Sequence, residues 1–182
     1  MKSTLTRLAI LAALFSSAAG AQHSAYSGEE KREIKALSDE EIRQYRSGAG
    51  MGYAQAAELN SFPGPMHVLE LADKLSLSPD QRAATRRLMN EHKAEARAIG
   101  AKLVEAEAAL DRLFAGGRVD EAALAGQVRR VAVVQGEYRL SHLETHRRMQ
   151  SLLTAEQIRR YGDLRGYAGG GDAHKQHGNS NH

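Results

Sequence analysis

Through the middle of the chain, apolar residues recur every three or four positions and polar residues fill the gaps. Over residues 80–114 the series is Leu88, His92, Ala96, Ile99, Leu103, Ala106, Leu110 and Leu113. Over residues 120–152 it is Leu124, Val128, Val131, Gln135, Tyr138, His142, Thr145, Met149 and Leu152. This spacing lays one stripe along one face of an α-helix, so two long helices with coiled-coil-like seams are predicted. Only Ala115-Gly116-Gly117-Arg118 separates them, which predicts an antiparallel helical hairpin.

Three sites share one grammar for starting a helix: Leu37-Ser38-x-x-Glu41, Leu77-Ser78-Pro79-x-Gln81 and Leu153-Thr154-x-x-Gln157. In each, a Ser or Thr caps backbone N–H groups and the Glu or Gln three residues on reaches back to the cap residue. Pro79 stands at the first helical position, where its missing N–H costs nothing. Gly48-Ala49-Gly50-Met51-Gly52 and Phe62-Pro63-Gly64-Pro65 read as breaks, followed by a short helix from Met66 to about Leu75 and a last one over 155–166. The glycines at 48, 50 and 52 follow no strand, so they make no phosphate loop. Residues 22–33 are polar and predicted to be disordered, as is the Gly-rich tail. The fold class is thus all-α, a long antiparallel hairpin with short flanking helices.

The N-terminus changes the picture of where the protein works. Lys2 and Arg7 precede the apolar run Leu8 to Phe15, and Ala19-Gly20-Ala21 supplies the small residues of a cleavage site. That is a secretory signal over residues 1–21, and its apolar run is shorter than the roughly 20 residues a membrane span needs. The expected organisation is a signal peptide (1–21), an N-terminal segment with a short helix and Gly/Pro breaks (22–65), a helical domain (66–167) and a tail (168–182). The expected product is periplasmic and not membrane-spanning. Removing the signal takes two positive charges and no negative ones, so the formal charge falls from +3 to +1. Basic and acidic residues are interspersed, which gives no support to nucleic-acid binding. There is no cysteine, no HExxH and no nucleophile-elbow serine, so catalysis has no foothold and no enzyme is expected.

Leu77-Ser78-Pro79-Asp80-Gln81 and Leu153-Thr154-Ala155-Glu156-Gln157 resemble the repeated LTxxQ signature of the Spy/CpxP family of periplasmic stress proteins, the first copy with Ser in place of Thr. The resemblance covers roughly residues 66–165. It implies a homodimer of long bent hairpins without catalysis, and one of two activities. Some members cradle unfolded periplasmic proteins without ATP; others bind transition-metal ions through His, Glu and Met on facing helices. Docking on a membrane-bound sensor is a third role for such a protein.

The histidines bear on that choice. If the chain reverses near Gly117, His92 and His142 lie level on the apolar stripes and face each other across the hairpin. His146 lies one turn beyond His142, and a His-x-x-x-His pair on a helix can hold an ion from one side. His67, on the short helix before Leu77, falls near the same height, with Met89, Met149, Glu70 and Glu95 as reserves. The expected metal ligands are therefore His92, His142, His146 and His67, and such a set suits a divalent transition metal (Zn, Ni, Co or Cu). The same positions also read as half-buried, hydrogen-bonded histidines of a core, or as a cluster that senses pH. His174, His177 and His182 form a loosely chelating tail or plain polar residues. The paired arginines read as solvated faces.

Overall fold

The computed structural model describes residues 25–117 and 119–167, and among these every regular element is helical. The helices are α1 (Asp39–Ser47), α2 (Gln55–Glu58), α3 (Pro65–Glu70), α4 (Pro79–Ala115), α5 (Glu121–Gln150) and α6 (Ala155–Arg165), with a single 3-10 turn at Glu29–Lys31. The signal-peptide and tail assignments fall outside the described residues. No helix among the described residues is long and apolar enough to cross a membrane.

All three capping boxes form. Ser38, Ser78 and Thr154 each accept a bond from the amide three residues on, and Glu41, Gln81 and Gln157 each accept one from the cap amide. Gly48 and Gly166 end α1 and α6 in the left-handed conformation that glycine adopts without strain. The short helix predicted to reach Leu75 stops at Glu70. There the Ala72 amide turns to the Leu69 carbonyl, and further turns carry the chain to Leu77. α2 has no apolar period in the sequence and was not predicted.

α4 and α5 lie antiparallel. Gln81 touches Leu152 at one end, His92 meets His142 midway, and Gln127 Nε2 donates to the Ala106 carbonyl (2.6 Å) nearer the Gly116-Gly117 turn. Two apolar clusters hold them. In the first, Ile34, Leu37, Ile42, Tyr45 and Tyr53 from the N-terminal segment cover Ala96, Leu103, Val104 and Tyr138. In the second, Val68, Ala72, Leu75 and Leu77 pack with Leu88, Met149 and Tyr161. Each large side chain so buried contributes about 1.5–3 kcal/mol.

The N-terminal segment is therefore part of the core rather than a loose leader. α1 crosses α4 at Gly100, where an added Cβ would stand 2.0 Å from the Tyr45 carbonyl oxygen. Only a glycine admits that approach. The disorder predicted for 22–33 does not extend through its described part, where the 3-10 turn is tied by an Arg32–Glu29 ion pair (2.9 Å). The α5 stripe is buried from Tyr138 to Met149 but not throughout, since Val128 and Gln135 are exposed. Towards the Gly116-Gly117 turn the N-terminal segment still reaches α4, where the Lys35 amide donates to Asp111 Oδ1 (3.1 Å).

The open ends of the long pair are joined by the two capping glutamines. Gln81 Nε2 donates to Gln157 Oε1 (2.8 Å), and Gln157 Nε2 donates back to Gln81 Oε1 (3.0 Å). Their amides also reach the Leu152 and Leu75 carbonyls. Each LTxxQ glutamine thus closes its own cap and clasps the other motif.

Candidate functional site

His92 on α4 and His142 on α5 meet edge to face, with ring centroids 4.5 Å apart. The reversal at Gly117 places them at one height, as the register predicts. His142 is 4% exposed and also packs on the Tyr53 and Tyr138 rings. His92 Nδ1 and His142 Nε2 are buried and have no hydrogen-bond partner. Burial disfavours the imidazolium, so the His92 pKa is lowered and that of His142 falls to about 4, with neighbouring imidazoles adding to the effect. Both rings are neutral near pH 7, and a neutral imidazole keeps one lone pair free for a metal ion or a donor.

His146, one turn on, is held differently. Its Nδ1 donates to the Phe62 carbonyl (2.8 Å), which leaves the Nε2 lone pair free in the neutral ring. Gly64 makes room for it: a Cβ there would lie 2.9 Å from His146 Cε1. Glu58 stands beside it, with Oε2 3.6 Å from His146 Nδ1. That carboxylate accepts bonds from Tyr161, Tyr167 and the Gly64 amide, and Arg165 lies 3.6 Å away. His67 Nδ1 donates to Glu70 (2.9 Å), a pairing that also leaves Nε2 free.

All four histidines line one cavity of about 690 Å³ between the 47–52 loop, α2, the start of α3 and the facing sides of α4 and α5. His92 and His142 are in contact, and His146 is near enough to act electrostatically on both. His67 shares the cavity wall but is bound to Glu70. Among the described residues no three His, Asp or Glu side chains converge on one point as a finished metal site. Two unpartnered imidazole nitrogens, backed by two more imidazoles whose outer nitrogens carry lone pairs, nonetheless have the chemistry of a transition-metal donor set. Of the reserve ligands, Met89 lines the cavity, Met149 is fully buried in the second cluster, Glu70 is engaged by His67, and Glu95 lies outside.

Sequence reasoning missed Glu58, Gly64 and Met66. Glu58 stands in a stretch with no apolar period, and its partners lie about a hundred residues away, so nothing local marks it. Gly64 looked like turn punctuation only. Met66, a large apolar residue left half exposed at the cavity, is legible only once the fold is known.

No curated protein and no solved structure matches the chain significantly. Among models of known families, that of the LTXXQ motif family protein matches residues 65–165, from the first residue of α3 to the last of α6. The match takes in more than half of the chain and both clasped glutamines. The chain belongs to the LTXXQ motif family, the Spy/CpxP-type proteins that its two capping motifs resemble.

Proposed function

We propose that this is an exported periplasmic protein of the LTXXQ family, without catalytic activity, which binds a transition-metal ion in the histidine-lined cavity and serves metal sensing or resistance. The observation that carries the reading is the pair of buried, unpartnered nitrogens on His92 and His142. Leaving such atoms unsatisfied costs roughly 1–3 kcal/mol each. A fold keeps that cost where the atoms have a task, and binding an ion would repay it. His146 and His67 are the further ligands in reach of the same cavity.

The test is calorimetric titration of residues 22–168 with Zn, Ni, Co and Cu ions, beside the His92→Ala and His142→Ala variants. Binding at a fixed stoichiometry, lost in both variants, supports the reading. Equal binding without those histidines, or none at all, refutes it.

A second reading rests on a different surface. Val133 and Leu140, seven residues apart on α5, are 60% and 63% exposed on the side away from the core, and Phe114 is exposed near the turn. An uncovered apolar strip of this kind supports holding of unfolded proteins without ATP. Suppression of client aggregation, unchanged by chelators and lost on Val133→Glu/Leu140→Glu, is its signature.

A further inference from the structure

The cavity gathers sulfur as well as nitrogen. Of the four methionines among the described residues, Met51, Met66 and Met89 line it, and only Met149 lies elsewhere. Met66 is 49% exposed, so its side chain is not sealed in the core. Oxygen donors are scarce by comparison. Glu58 is the one carboxylate among the described lining residues, and Tyr161, Tyr167 and the Gly64 amide already occupy its oxygens.

From this donor set we infer that the ion bound in the cavity is copper in its Cu(I) state, held by His92 and His142 with thioether sulfur from Met66 and Met89. The inference rests on the metal-binding reading proposed above and departs from the divalent ion that the histidine pattern suggests. Zn, Ni and Co favour four or more nitrogen and oxygen ligands, and the described residues do not converge three His, Asp or Glu side chains on a point. Cu(I) is soft, prefers thioether and imidazole donors, and accepts about two to four of them without any carboxylate. A facing pair of imidazoles with unpartnered nitrogens, and flexible thioethers that line the same cavity, meet that demand. The chain contains no cysteine, so thiolate cannot take the place of methionine.

The experiment is an anaerobic competition for Cu(I) between the full exported chain and the chromophoric chelator bicinchoninate. It is run beside Met66→Leu, Met89→Leu and the double variant, with Zn(II) titrated separately on each. Both methionines are at least partly exposed, so leucine there should leave the fold intact, and helical circular dichroism checks it. The expected result is Cu(I) held against the chelator and weakened about tenfold or more in the double variant. Zn(II) binding stays the same in all forms, and X-ray absorption finds both sulfur and nitrogen around the copper. Cu(I) affinity unchanged by the leucines, a first shell without sulfur, or tight Zn(II) binding with no retention of Cu(I) overturns the copper assignment and leaves the metal-binding reading standing. Failure to bind any metal overturns both.

Discussion

His142 carries a cost that can be read as a pH dependence. Its folded pKa of about 4 lies below the ordinary 6.5, because burial and the nearby His92 and His146 imidazoles oppose the charge. The unfolded chain therefore takes up a proton first as pH falls. Stability is full above about 6.5, is lost between there and about 4, and levels off below, a total of about 3 kcal/mol from this group. His92 shifts in the same direction and adds to the loss. The Tyr53 and Tyr138 rings that face His142 offer no charge to offset it. Urea unfolding of metal-free protein at about pH 7 and about pH 4.5, compared with His142→Leu, should show wild type losing more stability than the variant. Equal losses would mean that the folded site accommodates the proton.

At the level of elements, the capping boxes do two jobs. Ser38 and Glu41 only start α1, whereas Gln81 and Gln157 start α4 and α6 and also join them. Losing either glutamine removes the return bond of its capping box and leaves part of the other amide unpaired, at a cost of about 1–2 kcal/mol. Because both variants break the same reciprocal pair, the Gln81→Ala/Gln157→Ala double should lose less than the two single losses added together. A double-mutant cycle should return a coupling of about 1 kcal/mol. Strict additivity would show that each glutamine serves its own helix alone. The clasp gives a physical reason for two copies of the motif: each start is completed by the other.

Across the whole molecule, the histidine pair sits at a seam. On α4, His92 lies between Leu88 of the second cluster and Ala96 of the first; on α5, His142 lies between Met149 and Tyr138. Apolar residues at both places would fuse the clusters into one core and remove two unpartnered nitrogens. The His92→Leu/His142→Leu protein should therefore be more stable than wild type at neutral pH without metal, by about 1–3 kcal/mol. Its urea midpoint measures this, and a lower midpoint would show that the imidazoles contribute to the apo fold. A gain in stability paired with loss of metal binding would identify the seam as a place where the fold gives up stability for function.

Much of this was legible in the sequence. The three helix starts, the two long helices, their reversal at Gly117 and the level of His92 with His142 follow from local capping chemistry and from a fixed rise per residue, both of which act along the chain. Tertiary structure alone decided the rest. It folded the N-terminal segment onto α4 through the gap at Gly100 and brought Glu58 to Tyr161 and Tyr167. It also turned Met66 to the cavity and left His92 Nδ1 and His142 Nε2 unpartnered. These outcomes depend on which surfaces meet across long stretches of chain. A helical period tells which face of a helix is apolar, but not which distant segment will cover it.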